Sequence, residues 1–465
     1  MQPYIFLLSL MILLCGCQPN KVSDKKLPNI VVVLADDAGY ADFGFMGSND
    51  LLTPHLDLLA ESGVIFTDAH TSASVCAPSR AGLMSGQYQQ RFGFECNDIP
   101  QDLGLSIKEE TMASALKPKG YHTVAIGKWH LGLSDPYHPN ERGFDEFYGF
   151  LSGARSYFSN KRDDQEGHPN AMLYNHKRID FSGYLTDALG DHAVDYIERH
   201  KSEPFFMYLS FNAVHTPMEA KEEDLKKFEG HPRQQLAAMT WSMDENIGKV
   251  MTKLQTEGLA ENTLIFFLSD NGGAANNQSD CGPLKGWKGN KFEGGHRVPF
   301  LVSWNRKIPS GQTFDGLTSA LDIFATAAAV AEVDLPKLDG VNLIPFLTQE
   351  ENGSPHHQLF WRKDKMAAGR IGLHKLIRLD DYGYRFYNLT NDIGETHDQQ
   401  EDMNKDFSHA QHQLDQWEAR LMAPHWTENP SWDTVTYEIH QALMENRAPH
   451  YTDPKQLRDY LLSQN

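Results

Sequence analysis

Asn29-Ile30-Val31-Val32-Val33-Leu34-Ala35-Asp36-Asp37 is the stretch on which the fold turns. Its apolar residues are continuous and largely β-branched, not alternating with polar ones. Such a run reads as a strand buried on both faces, inside a parallel sheet covered by helices. Three other runs share the layout. Residues 123–126 lead into Gly127-Lys128-Trp129-His130, residues 205–211 into Asn212-Ala213-Val214-His215, and residues 264–268, through Ser269, into Asp270-Asn271-Gly272-Gly273. Stretches with helical spacing lie between them, at residues 54–62 (with Leu56, Leu58 and Leu59 inward), 112–117, 184–200 and 234–257. This alternation predicts a wound α/β domain, a large mixed and mostly parallel sheet sandwiched by helices. Ligands of such folds bind beyond the carboxyl ends of the strands. The four polar clusters are therefore expected to meet in one cleft.

The pattern changes after about Pro345. Residues 359–362, 367–373, 375–379 and 384–389 read as short strands joined by turns, and residues 409–421 as a helix. Glu350-Glu351-Asn352-Gly353-Ser354-Pro355 is a turn-rich break suited to a boundary. A smaller C-terminal α+β subdomain, residues 351–465, is expected on a short antiparallel sheet. The tail from Pro424, rich in Trp, His and Pro, yields no assignable element.

The 465 residues, 40% hydrophobic and 22% charged, are enough for a large α/β body and a smaller partner. No internal apolar run is long enough to span a bilayer. Residues 5–14 are apolar but short, which fits a signal-peptide core. They run into Leu14-Cys15-Gly16-Cys17, which resembles a bacterial lipobox with Cys17 as the lipidated residue. A plain signal peptide cut nearby is the alternative, and neither has its usual basic start, since Met1 to Tyr4 contains no Lys or Arg. Residues 1–17 are expected to be leader and lipobox, and residues 18–27 a polar tether. The protein is then exported, as a periplasmic or outer-membrane lipoprotein or in secreted form, and meets a membrane only through that lipid. With Cys15 and Cys17 in the leader, Cys76, Cys96 and Cys281 remain. Cys96 and Cys281 could pair, and the lack of any CxxC excludes a four-cysteine metal site. The net charge of −20 argues against nucleic acid as a partner. A small anion can still bind where a metal and a few cationic side chains converge.

Asp36-Asp37 and Asp270-Asn271 offer three carboxylates and an amide oxygen, a hard donor set for calcium or magnesium. Either pair alone would read as a turn cap. Two pairs at the ends of two buried strands point to a metal, without which the clustered carboxylates would repel and their pKa values rise. Lys128, His130, His215 and Lys288 add two cations and two acid–base groups, a set suited to a dense anion. Each of these four, taken singly, is more often structural or solvated. Glu293-Gly294-Gly295-His296-Arg297-Val298-Pro299 is Gly-rich but lacks the spacing of a phosphate-cradling loop.

Cys76-Ala77-Pro78-Ser79-Arg80-Ala81-Gly82-Leu83-Met84-Ser85-Gly86 resembles the signature of type I, formylglycine-dependent sulfatases, which are alkaline phosphatase-like in fold. Residues 29–39, Gly127 to Gly132, Ser269 to Gly272, Lys288 with Glu293 to Pro299, Asp339-Gly340 and Tyr387-Asn388-Leu389 resemble that family's other landmarks in the same order. The resemblance spans about residues 28–400 and marks residues 28–350 as the catalytic domain. It implies that a formylglycine-generating maturation enzyme oxidises Cys76 to Cα-formylglycine (3-oxoalanine). It implies one calcium ion held by Asp36, Asp37, residue 76, Asp270 and Asn271. In the family mechanism a hydroxyl of the hydrated aldehyde, bound to the metal, attacks sulfur, and Asp270 matches the group that takes its proton. Arg80 and Lys128 match the residues that hold the formylglycine, and Lys288 one that steadies the sulfate oxygens. His215, helped by Lys288, matches the acid for the leaving alcohol, and His130 the base that breaks the sulfated intermediate.

Four readings compete: a sulfatase, a phosphomonoester or phosphonate hydrolase of the same superfamily, a non-catalytic glycan-binding relative, and an unmodified thiol enzyme with Cys76 as thiolate near His130. The full set of expected residues favours the first. Arg91, Arg155, Tyr157, His168, His296, Trp361 and Arg362 lie in segments that could edge the cleft. With export, they suggest a sulfated oligo- or polysaccharide. Gln89-Gln90-Arg91-Phe92-Gly93-Phe94-Glu95 resembles sulfatases of algal galactans such as carrageenan, with ulvan and glycosaminoglycans as alternatives.

Overall fold

The computed structural model describes residues 26–335 and 337–463. Cys15, Cys17, the leader and most of the expected tether lie outside the described residues. Ten strands form the main sheet, in the order Gln312–Phe314, Val64–Phe66, Phe300–Ser303, Thr263–Ser269, Asn29–Ala35, Phe205–Ser210, His122–Lys128, Glu146–Phe150, Leu173–Tyr174 and Lys177–Arg178. The five from Thr263–Ser269 to Glu146–Phe150 are mutually parallel. Phe300–Ser303 runs antiparallel to both neighbours, which makes the sheet mixed, as expected.

Every residue of Asn29–Ala35 is buried. Ile30, Val32 and Leu34 pack into the core on one face, and Val31, Val33 and Ala35 into the core on the other. The unbroken apolar run follows from this double burial, and each large side chain so buried contributes roughly 1.5–3 kcal/mol. Helices Leu185–His200 and Gln234–Thr256 cover one face. Helices Cys76–Ser85, Met112–Leu116 and Asp322–Val330 cover the other. One inward assignment is corrected. Helix Pro54–Glu61 buries Leu56, Leu59 and Ala60, whereas Leu58 is 56% exposed. At about 100° per residue, Leu58 lies roughly 200° round the helix from Leu56.

Gln358–Lys363, Met366–Ile371, His374–Leu379 and Gly383–Asn388 form the small antiparallel sheet in simple meander order. Helix Asn404–Glu418 packs on one face through Phe407, Ala410, Leu414 and Trp417. It starts five residues before the expected position because this apolar stripe begins at Phe407. The tail forms helices Pro430–Met444 and Pro454–Ser463. The first covers the other face of the small sheet through Val435, Ile439 and Leu443, and the same cluster includes Phe292 from the segment leading into the Gly-rich block. Asn429 caps that helix at Ser431 N, with Pro430 in its first turn. That start signal is present in the sequence but obscured by the biased composition around it.

Candidate active site

The parallel strands deliver their polar ends to one place. Asp36 and Asp37 follow Asn29–Ala35, Asp270 and Asn271 follow Thr263–Ser269, and Lys128 ends His122–Lys128. His215 sits on the turn after Phe205–Ser210, and Cys76 is the first residue of helix Cys76–Ser85. Ligand atoms of Asp36, Asp37, Cys76 and His215 all lie within 4.8 Å of one another. The Cys76 Sγ is 3.6 Å from Asp36 Oδ1 and 3.7 Å from Asp37 Oδ1. Asp37 has a φ of 64°, a left-handed backbone that a non-glycine residue rarely adopts. Its carbonyl accepts from Asn277 Nδ2 and Ser279 Oγ, both at 3.0 Å, and these bonds hold the turn.

Cations neutralise the carboxylates. Lys128 Nζ donates to Asp36 Oδ2 at 2.6 Å, and Lys288 Nζ to Asp37 Oδ2 at 2.7 Å. Arg80 donates through Nε to Asp270 Oδ2 at 2.8 Å, and through Nη1 to Ser210 Oγ at 2.5 Å and Lys128 O at 3.1 Å. Burial alone would raise the Asp36 carboxyl, but Lys128, His215 and Arg80 outweigh it and hold it below the usual range. Asp37 is likewise held low, against burial, by Lys288, His215 and Lys128. Asp270 goes the other way. Burial, then the charge of Asp36, push it up to about 6 despite Arg80.

The two histidines differ. His130 is buried with a φ of 57°, and its ring lies over Gly153, where a Cβ would stand 2.6 Å from Cε1. Burial, then Lys128, Arg80 and Lys288, hold it well below the usual imidazole value, which favours the neutral ring. Its Nδ1 has no hydrogen-bond partner among the described residues. His215 Nδ1 lies 2.6 Å from Thr216 O. A carbonyl only accepts, so Nδ1 carries the proton and Nε2, 3.5 Å from Asp37 Oδ2, faces the cluster. The Cys76 thiol is pushed far up by burial, against Lys128 and Lys288 and with Asp270 and Asp37 adding to the rise. That disfavours the thiolate an unmodified thiol enzyme would need.

The donor set fits a hard divalent cation. Three carboxylates converge, and Asn271 Oδ1 is buried without a hydrogen-bond partner among the described residues while its Nδ2 donates to Asp37 Oδ1 at 2.8 Å. An oxygen left so is costly unless a cation takes it.

A cleft of about 810 Å³ opens above Asp37, His215 and Lys288. Most of the loop residues expected at its edge stand elsewhere. Arg155, Tyr157, His296 and Trp361 are buried. Arg155 binds Asp164, Tyr157 Oη donates to the carbonyls of Asn212 and His215 beneath the His215 turn, and His296 stacks on Trp361 with ring centres 3.8 Å apart. Arg362 is paired with Glu95 and Arg91 with Asp339, and His168 Nδ1 accepts from Asn170 N at 3.2 Å. The partners of Tyr157, His296, Trp361, Arg362 and Arg91 come from distant segments, so these contacts were invisible in the local sequence, whereas Arg155 and His168 are tied within their own loop. Cys96 and Cys281 are both free and buried, Cys96 Sγ lying 3.3 Å from Asp364 and Cys281 Sγ facing the carbonyl of Gly294.

Three supports had no sequence signal. Ser210 anchors Arg80, and Asn97 Oδ1 accepts from Ala77 N at 2.9 Å. Lys291 Nζ donates to Ser74 Oγ at 3.1 Å, while Gly289 N donates to Ser74 O at 2.7 Å. The 287–291 loop thus pins the turn before Cys76. Burial, then Lys363, push Lys291 down to about 7.

A strand-end cluster of carboxylates, lysines and histidines on this sheet defines a hydrolase of anionic esters built on the alkaline phosphatase plan. Residues 28–333 match the sulfatase family model, and the chain belongs to the sulfatase family, the sulfuric ester hydrolases of that superfamily. It is 30% identical over 402 residues to the uncharacterized sulfatase YdeN of Escherichia coli, covering 74% of this chain and 70% of that protein. It is 32% identical over 378 residues to human N-acetylgalactosamine-6-sulfatase, covering 75% and 71%. The crystal structure of Ps i-CgsB in complex with k-i-k-neocarrahexaose superposes with a TM-score of 0.83 at 34% identity, covering 89% of this chain and 97% of that one.

Proposed function

We propose that this sulfatase removes sulfate ester groups from a sulfated glycan, an algal galactan of the carrageenan class, using formylglycine made from Cys76 and one calcium ion. The observation that carries the reading is the seating of Cys76 between Asp36 and Asp37, with Lys128, Lys288, His130 and His215 around them. The galactan assignment is supported by the neocarrahexaose bound in the Ps i-CgsB structure. The amino-sugar sulfate named for the human relative keeps glycosaminoglycans as the second reading. Ulvan and a phosphate or phosphonate monoester stand behind them.

Asp36, Asp37, Asp270, Asn271 and residue 76 would hold the calcium ion, which supplies Lewis-acid polarisation of the sulfate and offsets the carboxylate charge. Arg80 and Lys128 fix residue 76 against this cluster, Arg80 being itself held on three sides. Asp270, the carboxylate with the raised pKa, accepts the nucleophile's proton. Lys288 and His215 face Asp37 from the open side of the cleft, so the proton for the leaving oxygen comes from this pair, from Lys288 Nζ or from His215 Nε2 when the ring carries a proton there as well as on Nδ1. A sugar alkoxide is a poor leaving group, and without that proton its departure would limit the rate. His130, neutral and without a hydrogen-bond partner at Nδ1 among the described residues, takes the proton that releases sulfate. Export on the leader, lipidation at Cys17, and division into a catalytic part (28–350) and a subdomain (351–465) complete the proposal.

Three measurements test it. Peptide mass spectrometry of protein from its native host should find residue 76 as formylglycine. Turnover of an aryl sulfate should exceed that of an aryl phosphate. Desulfation of defined carrageenan, ulvan and glycosaminoglycan oligosaccharides should be seen for the first class. Unmodified Cys76 with full activity overturns the nucleophile, and no cleavage of any glycan overturns the substrate class.

A further inference from the structure

We propose that Trp432 is a stacking platform for a sugar ring in the outer part of the cleft, and that the ring it holds carries no sulfate of its own. This rests on the glycan-sulfatase reading and specifies its substrate.

The cleft of about 810 Å³ far exceeds what a sulfate group fills and lies within the roughly 300–1,000 Å³ of small-molecule sites. Asp37, His215 and Lys288 line its inner end, and Trp432, Thr436 and Ile439 of helix Pro430–Met444 line its wall at spacing i, i+4, i+7. Val435, Ile439 and Leu443 of that helix are buried against the small sheet, yet Trp432 is 43% exposed. A large, partly exposed indole in a cleft of mixed lining suits the C–H face of a pyranose, which buries against it while the ring hydroxyls stay available to polar lining residues such as Asn97 and Gln456.

The platform is fixed relative to the chemistry. His440, two turns beyond Trp432, donates from Nδ1 to Thr436 O at 2.8 Å and accepts at Nε2 from Lys291 N at 3.0 Å. Lys291 and Gly289 in turn hold Ser74, two residues before Cys76. The distance from the stacked ring to the reacting sulfate is therefore set by this chain of contacts.

Charge selects the ring. Of the cations lining the cleft, Lys288 stands at the sulfate end, and Lys363 is neutralised by Glu428 on the same wall. Asp98 and Asp453 also line the cleft. A second sulfate on a ring held in this cleft would be repelled by these carboxylates, whereas a neutral ring would not be.

The test compares a small aryl sulfate, which reads the core chemistry alone, with galactan oligosaccharides carrying one sulfate or sulfates on adjacent rings. Trp432→Ala should leave aryl sulfate kcat/KM within about two-fold and cut oligosaccharide kcat/KM roughly ten- to a hundred-fold, chiefly through KM, as loss of a buried aromatic anchor does. Trp432→Phe should recover part of that loss. The double substitution Asp98→Asn with Asp453→Asn, which keeps the cap at the last helix, should raise the ratio of kcat/KM for adjacent-sulfate over single-sulfate oligosaccharides by about two- to five-fold. Equal losses on aryl sulfate and oligosaccharide, or none on the oligosaccharide, overturn the platform. An unchanged ratio overturns the charge selection. Wild-type protein that hydrolyses the aryl sulfate but desulfates no glycan overturns the glycan reading itself, a result distinct from either.

Discussion

Replacing Asp270 by Asn should make the cation-free protein more stable while abolishing catalysis. The Asp270 carboxyl is fully buried and raised from its ordinary 3.8 to about 6, by burial and then by the charge of Asp36. A group whose folded pKa is raised contributes stability below its unfolded pKa and loses it as pH rises through the folded value. At about 1.4 kcal/mol per pH unit between the two, ionised Asp270 costs the cation-free fold roughly 3 kcal/mol at neutral pH. Asn removes that charge and can still accept from Arg80 Nε, now at 2.8 Å. It cannot also accept from Asp37 N, which now lies 3.3 Å from Asp270 Oδ1. The net gain is then about 1–2 kcal/mol. With 465 residues and about 2.1 cal/mol/K of unfolding entropy per residue, this amounts to a rise of roughly 1–2 °C in Tm. Scanning calorimetry in chelator at pH 7.5 and pH 5.0 is the assay. The gain should appear at pH 7.5 and shrink at pH 5.0, where native Asp270 is protonated. Added calcium should reverse the order by stabilising the native protein alone, by about 4 kcal/mol at a thousand times Kd. A variant less stable than the native protein in chelator at pH 7.5, or an equal gain at both pH values, would refute the reasoning.

Cys76→Ala should lower turnover by about 10⁴-fold or more with the fold kept, since only a small buried side chain is lost; activity above roughly a hundredth of native in a purified sample rules out Cys76 as nucleophile. Chelation should remove activity and calcium restore it, and recovery with magnesium alone would contradict the calcium assignment. His440 is held neutral by burial, then by Lys291, with its pKa pushed down to about 3. The unfolded chain takes up this proton near pH 6.5 and the native protein only near 3, so stability falls as pH falls between them, by about 2 kcal/mol from 6.5 to 5. His440→Gln should flatten that part of the Tm–pH curve, and an unchanged curve would show that His440 is not buried and neutral.

Much of the site was legible because its residues sit at strand ends. A buried parallel strand announces itself by an unbroken apolar run, and the fold rule places whatever follows it in the cleft. Asp36, Asp37, Lys128, His215, Asp270 and Asn271 were found this way, and Cys76 and Arg80 by a local motif. The failures share a cause. Tyr157, His296 and Trp361 carry polar or aromatic groups in segments that look open, but partners far along the chain bury them, while Arg155 is buried by the fold of its own loop around Asp164 and Asn170. The same is true of Ser210, Asn97 and Lys291, whose value lies only in what they touch.

The amino-acid sequence by itself determined the sheet, its helical cover and the polar residues gathered at the strand ends, because these depend on periodicity and on residue types at fixed offsets. Only the tertiary structure decided how charge is shared within that cluster, since distances among Asp36, Asp37, Asp270, Lys128, Lys288 and Arg80 have no expression in sequence spacing. It alone also decided what stands at the mouth of the cleft. Trp432 lies 356 positions from Cys76 (432 less 76). Packing of helix Pro430–Met444 on the small sheet, and the His440 bond to the loop after Lys288, bring it to the wall of the cleft that Asp37, His215 and Lys288 line at the inner end.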